Sequence, residues 1–235
     1  DITVCLRPFR AQGPRIEAVA QQLHDYMGLP PFTLVHGDCH LENAYVIPSS
    51  HQATLGLYDM QLMRRAKGAI DVASFVGGSV HPDVLGGGPL NNEGEMQLLR
   101  LYYASLAARR GGEAKLVYRD TPSGAPKRYT FDAFVDDYKF GLALLFTWNV
   151  AAALAVPFDT SAAADYDAYA TRLIAAVDRN SAINHALWHL SLPGVSERFN
   201  LRGRAPDLRK TGGVPPVQRA VQGEPTHQTQ TVPPV

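Results

Sequence analysis

Between Pro14 and Met27, apolar residues recur at Ile16, Val19, Ala20, Leu23, Tyr26 and Met27. They form one stripe of a 3.6-residue helix, with Pro near its start and Gly28 after its end. Pro30-Pro31 breaks the chain, and the spacing then predicts a short strand over Phe32–Val35 that delivers residues 36–43 into a loop. Two apolar runs, Ala44–Ile47 and Thr54–Tyr58, flank the polar connection Pro48-Ser49-Ser50-His51-Gln52 and read as a hairpin that ends at Asp59-Met60-Gln61.

Beyond Lys67-Gly68 the pattern turns helical. Ala69–Val76 reads as a short apolar helix, and Glu93–Arg110 as a longer one closed by Gly111-Gly112, with a Gly/Pro/Asn loop between them. Leu116–Phe131 alternates around Thr121-Pro122-Ser123-Gly124, as an extended excursion or hairpin. Thr130 caps a helix with Asp132 in its first turn, which continues through an apolar window at Phe140–Val156 and stops before Pro157. Two more helices follow, at about Ser161–Val177 and Ala182–Leu192. From Asn200 onward there is no aromatic residue, and Pro, Gln, Thr, Gly and Arg recur. Such a segment buries too little apolar surface to offset its ordering entropy. The predicted organisation is therefore α+β and predominantly α-helical, with one folded unit over 1–198 and a disordered tail over 199–235.

Composition narrows the function classes. With 22 basic and 22 acidic residues the formal charge is zero, which argues against nucleic-acid binding through a broad basic face. The most apolar window is 17 residues long and contains Thr147 and Asn149, short of the ~20 a membrane span needs, so a buried helix is expected and no membrane partner. No secretory signal is visible, and Cys5 and Cys39 are too few for a disulfide framework, as in a reducing, cytoplasmic setting. The chain starts at Asp1 without Met, as a processed product or a fragment of a longer protein would.

The chemistry concentrates in His36-Gly37-Asp38-Cys39-His40-Leu41-Glu42-Asn43 and, after the hairpin, Asp59-Met60-Gln61. This arrangement sets a carboxylate, a carboxamide and a second carboxylate at the ends of neighbouring strands. Phosphoryl transfer from a nucleotide needs one Asp to orient and deprotonate an attacking hydroxyl, and an Asn and a further Asp to hold Mg²⁺ on the phosphate oxygens. Asp38 and Asn43 have the Asp-to-Asn spacing of a kinase catalytic loop, and the hairpin separates them from Asp59 as in a kinase.

On these residues, and on Gly68 with Asp71-Val72-Ala73, the chain resembles the C-terminal lobe of the aminoglycoside phosphotransferase and choline kinase superfamily, with a protein-kinase-like fold; the closest flavour is the ecdysteroid kinase-like branch. The resemblance implies Asp38 as catalytic base, Asn43 and Asp59 as Mg²⁺ ligands, Asp71 as a carboxylate steadying the catalytic loop, and ATP as co-substrate for a small-molecule hydroxyl acceptor. Aminoglycosides, choline-like amines, steroids and sugars are the acceptor classes. The acceptor pocket of that superfamily points to Asp136, Asp137, Tyr138 and Trp148, against the plainer reading of a solvated acidic face and a buried Trp.

Other residues carry alternatives. His36 reads as a structural imidazole bonding the loop backbone, and His40 either contacts Asp59 or a phosphate or packs in the loop. Gln61 either orders water or metal or bonds nearby backbone, Cys39 reads as a packed thiol, and read from the residues alone Asp71 serves its own helix start with no catalytic role. The superfamily closes its ATP site with an N-terminal lobe carrying a Gly-rich turn and a strand-borne Lys. Only 37 residues precede Asp38, and Gly86-Gly87-Gly88 reads as a loop, so the expectation is a C-terminal lobe whose partner lobe belongs to the full-length protein. A remnant lobe serving as a binding module is the alternative. A binuclear metallophosphoesterase, suggested by Gly37-Asp38-Cys39-His40, lacks its Asp-x-His and Gly-Asn-His segments.

Overall fold

Almost every face of the longest helix is apolar, and the fold is arranged around it. The computed structural model describes residues 13–48, 54–81, 83–85, 93–155 and 163–190. The predicted tail, the Gly86–Gly88 loop, the hairpin connection at 49–53 and Cys5 lie outside them. Among the described residues the fold is predominantly helical, with short antiparallel strand pairs. Helix α1 spans Gly13–Met27, α2 Ala69–Val72, α3 Glu93–Arg109, α4 Phe131–Ala155, α5 Ala163–Arg179 and α6 Ala182–Leu190. Strands β1 (Thr33–Val35) and β4 (Arg64–Ala66) pair, as do β2 (Ala44–Ile47) with β3 (Thr54–Leu57) and β5 (Val117–Tyr118) with β6 (Lys127–Arg128).

Helix α4 is 25 residues long, and Leu142, Ala143, Leu144 and Phe146 on consecutive faces are all buried. A helix that is apolar all round must be surrounded, and α1, α2, α3, α5 and α6 pack on it. No helix among the described residues is long and apolar enough to cross a membrane. The predicted caps are in place. Thr130 Oγ1 accepts from the Ala133 amide at 3.2 Å. Gly111 and Gly112 take φ of +82° and +113°, and the Gly112 amide closes α3 on the Ala107 carbonyl at 2.8 Å.

Two elements differ from expectation. The segment 64–66 is a strand, pairing Val35 with Arg64 and Thr33 with Ala66 and so anchoring β1 at the entrance to the 36–43 loop. The apolar helix at 69–76 is α-helical only to Val72 and continues as a π-helix over Ala73–Ser79. Its widened turns bring Gly77 against α4 and Gly78 against α5. A Cβ on Gly77 would lie 2.6 Å from the Leu142 side chain, and one on Gly78 would overlap the Tyr169 ring.

Two carboxylates are buried among donors. Asp137 is 2% exposed, and its oxygens accept from Tyr26 (2.7 Å), Tyr129 (2.8 Å) and Lys67 Nζ (3.1 Å), while Lys67 also donates to the Pro30 carbonyl at 2.8 Å. Burial pulls the Lys67 pKa down, and Asp137 opposes this. Glu95 accepts from Tyr138, from Arg179 Nε at 2.7 Å and from Asn180 at 2.8 Å, tying the first turn of α3 to α4 and the end of α5. These contacts correct two expectations: Asp137 and Tyr138 belong to the core, not to an acceptor pocket, and Asp137 is not part of a solvated face.

Removing one partner of a buried pair leaves an uncompensated charge. Asp137→Ala is therefore expected to cost about 3–5 kcal/mol in urea unfolding, and Lys67→Met combined with Asp137→Leu clearly less. Equal losses would show that the charges are solvated.

Candidate functional site

Strand β1 ends at Val35, whose side chain is buried, and the chain turns at His36-Gly37 under the control of Asp71 from α2. The Asp71 carboxylate accepts the His36 amide at 2.7 Å and the Gly37 amide at 2.9 Å. The Asp71 side chain thus bonds a loop 34 and 35 residues away and does not cap its own helix. Burial raises the Asp71 pKa; the two amides, His36 and the Arg64 charge oppose that rise. Gly37 has φ +87°, and a Cβ there would run into the Leu62 carbonyl and sit 3.0 Å from the Arg64 guanidinium, so the turn needs glycine.

His36 is 6% exposed and joins the two acidic loops. Its Nδ1 accepts the Asp38 amide at 3.3 Å, which leaves the proton on Nε2 to be donated to the Tyr58 carbonyl at 2.7 Å. The structural reading of His36 thus has a definite geometry. A single 3-10 turn at Leu41–Asn43 folds Asn43 back over Asp38. Asn43 Nδ2 donates to the Asp38 carbonyl at 2.9 Å and lies 3.4 Å from Asp38 Oδ2. The Asn43 carbonyl accepts the Tyr58 amide at 3.0 Å, which brings Asp59 alongside. Asp59 itself is exposed and left-handed, with φ 61° and ψ 60°. That conformation is uncommon for a residue with a Cβ and is found where surrounding structure imposes it.

His40 completes the cluster. Its Nε2 is 3.5 Å from Asp38 Oδ2 and 3.2 Å from Asn43 Nδ2, and its Nδ1 is 3.9 Å from Glu42. Protonated, Nε2–H donates to Asp38; neutral with the proton on Nδ1, Nε2 accepts from Asn43 instead. The hydrogen bond with Asp38 raises the His40 pKa, and the Asp59 charge adds to the rise. Reciprocally, His40 holds the Asp38 carboxyl below the ordinary carboxylate range, with Asn43 contributing. Cys39 is half-buried, and burial with the charges of Asp71 and Asp38 pushes its thiol up to about 11, which keeps it protonated and unreactive at neutral pH.

The oxygens of this set are hard donors, with Asn43 buried and Asp38 and Asp59 open to solvent. Asn43 Oδ1 and the Asp59 carboxylate make no hydrogen bond or ion pair among the described residues, while Asp38 is 39% exposed beside them. Carboxylate and amide oxygens of this kind fit Mg²⁺, which takes few protein ligands and keeps several waters.

Among the remaining expected residues, Gln61 is exposed in a 3-10 turn at Met60–Leu62 and makes no backbone bond among the described residues. Asp136 is half-buried 3.6 Å from His185, on the α6 side of α4, and Asp137 and Tyr138 are core groups. Trp148 is partly buried and reaches the loop through Arg64, whose guanidinium lies 5.4 Å above its ring. Three contributors escaped the sequence reading. Arg64 backs Gly37, Ser79 Oγ accepts the Leu41 amide at 2.9 Å, and the Tyr169 ring meets His40 edge-on at 5.9 Å. Ser79 and Tyr169 come from distant elements with no local signal, whereas Arg64 lies five residues after Asp59.

The folded-state pKa of His40 is raised, so its contribution to stability is present below the unfolded imidazole value and lost as pH rises through the folded one. That of Asp38 is lowered, so its contribution is present above the unfolded carboxylate value and lost as pH falls through the folded one. The pair thus contributes most between about pH 4 and 6.5. In His40→Ala, the Asp38 carboxyl is expected to titrate higher, nearer the ordinary carboxylate range, in carbon-detected NMR. An unchanged titration would mean that His40 does not set its charge.

Comparison of the chain with protein families, with curated proteins and with solved structures finds no match, so what the site does has to be read from its own atoms.

Proposed function

We propose that this chain is the catalytic lobe, protein-kinase-like in fold, of a phosphotransferase that moves the γ-phosphate of ATP to a hydroxyl of a small molecule. The observation that carries the reading is the joining of two acidic loops: Asn43 bonds Asp38 through its side chain and the Asp59 loop through its backbone. A pair of chance turn formers has no reason to be built this way. The clamp of Asp71 on the turn, the His36 bridge and the left-handed Asp59 are further supports, because each fixes a carboxylate in place at the expense of local freedom.

In this reading Asp38 is the general base. It is held ionised by His40, is partly open to solvent, and accepts the proton of the acceptor hydroxyl as that oxygen attacks phosphorus. Asn43 Oδ1 and Asp59 would hold Mg²⁺, which supplies charge neutralisation on the phosphate oxygens. Asn43 has a second task, since its amide keeps Asp38 from swinging away. Positioning and electrostatics are the whole of what such a site must provide, because phosphoryl transfer passes through a loose, in-line transition state. The acceptor is an alcohol of the aminoglycoside, choline, steroid or sugar kind.

Two measurements test this function. In the full-length protein, Asp38→Asn is expected to lower phosphoryl transfer by roughly 10²-fold or more while leaving MgATP affinity within about twofold; near-wild-type transfer would defeat the assignment of the base. By calorimetry, Asp59→Ala is expected to abolish the Mg²⁺ dependence of nucleotide binding. Unchanged metal dependence would remove Asp59 from the site.

A further inference from the structure

A cavity of about 340 Å³ lies at the other end of β1 from His36. Nothing in the proposed phosphotransfer uses it. Its walls are aromatic: Tyr102 stacks on Phe134 with centroids 5.3 Å apart and planes 18° from parallel, and Tyr118 meets Tyr129 edge-on at 6.1 Å. Phe32 closes one side, 40% exposed, with its ring held by the Arg65 guanidinium 4.4 Å away. Such ring faces favour a flat, unsaturated guest, and the volume suits a small ligand.

The rim is cationic. Arg110, Lys115 and Arg119 line the cavity, and no carboxylate among the described residues does. Arg110 and Lys115 are exposed and make no ion pair among the described residues, while Arg119 donates to the Gly124 carbonyl. Between Arg109 and Arg128 the chain carries six basic residues against two acidic, in a protein whose formal charge is zero. One of those two, Asp120, is already paired with Lys127. A positive rim over aromatic walls is complementary to an anion on a ring system, and Arg in particular both stacks and pairs.

We propose that this cavity is a binding site for a small aromatic anion, a flat ring system bearing a carboxylate or phosphate, with the ring against Tyr102 and the charge between Arg110 and Lys115. The site is separate from the catalytic loop. Thr33 on its wall is three residues from His36, about 10 Å of strand. It therefore stands or falls independently of the phosphotransferase reading.

The test is an amide NMR titration of the whole chain without Mg²⁺, using 2-naphthoate and its neutral analogue 2-naphthylmethanol. Saturable shifts at residues 32–33, 68–69, 102 and 115–119 are expected with naphthoate. They should weaken with added salt and fall roughly fivefold in affinity in Arg110→Gln combined with Lys115→Gln. Both substitutions are at exposed positions, so folding is spared; the amide spectrum of the variant without ligand checks this. Absence of saturable binding, equal binding of the neutral analogue, or shifts at 36–43 and 58–61 in place of the cavity residues would each overturn the proposal.

Discussion

The acidic site depends on a single carboxylate clamp. Asp71 accepts two consecutive backbone amides, from His36 and Gly37, and so fixes the direction in which the chain leaves β1. Two charge-assisted bonds to a partly buried carboxylate are among the stronger local constraints available to a loop. Everything downstream inherits that direction. His36 faces the Tyr58 carbonyl, Asp38 faces Asn43 and His40, and the hairpin returns Asp59 to the same edge. Without the clamp, the positive φ of Gly37 would be one of several turns open to a glycine.

The clamp is held in place by the packing of α2, whose Ala69, Ile70 and Val72 are buried. The helix packs on α4, and the π-helical stretch that continues it packs on both α4 and α5: a Cβ on Gly141 would lie 3.0 Å from the Ala73 methyl, and Gly77 and Gly78 lie against Leu142 and Tyr169. The same stretch supplies Ser79 to the Leu41 amide and Ser74 to the Tyr169 hydroxyl, at 2.9 and 3.3 Å. Arg172 Nε donates to the Gly78 carbonyl at 2.6 Å, one of the last carbonyls of the π-helix, where the helix itself supplies no donor. Packing of α2 into the helical core is thus transmitted through Asp71 to the Asp38 loop.

Much of this was legible from residue order. Helix limits followed from Thr130, Gly28 and Gly111-Gly112, because caps act within a few residues. The acidic loops stood out because their spacing and flanking strands are also local. What escaped depends on distant partners. Arg64-Arg65-Ala66 has little strand character of its own and becomes a strand through β1. The π-helix uses residues that an α-helix would accept equally, and only the contacts of Gly77 and Gly78 choose between them. Asp136 and Asp137 are adjacent in sequence but about 100° apart around α4, and a helix apolar on nearly every side offers no phase from which to tell which faces inward.

In the proposed function, Asp38, Asn43 and Asp59 surround one metal-bound phosphate. Paramagnetic relaxation tests it without any knowledge of the acceptor: Mn²⁺ is substituted for Mg²⁺ with ATP, and amide line broadening is followed along the chain. The account predicts that broadening centres on residues 38–43 and 58–61 and requires metal and nucleotide together. Broadening centred elsewhere, or none at saturating Mn²⁺ and ATP, would contradict it.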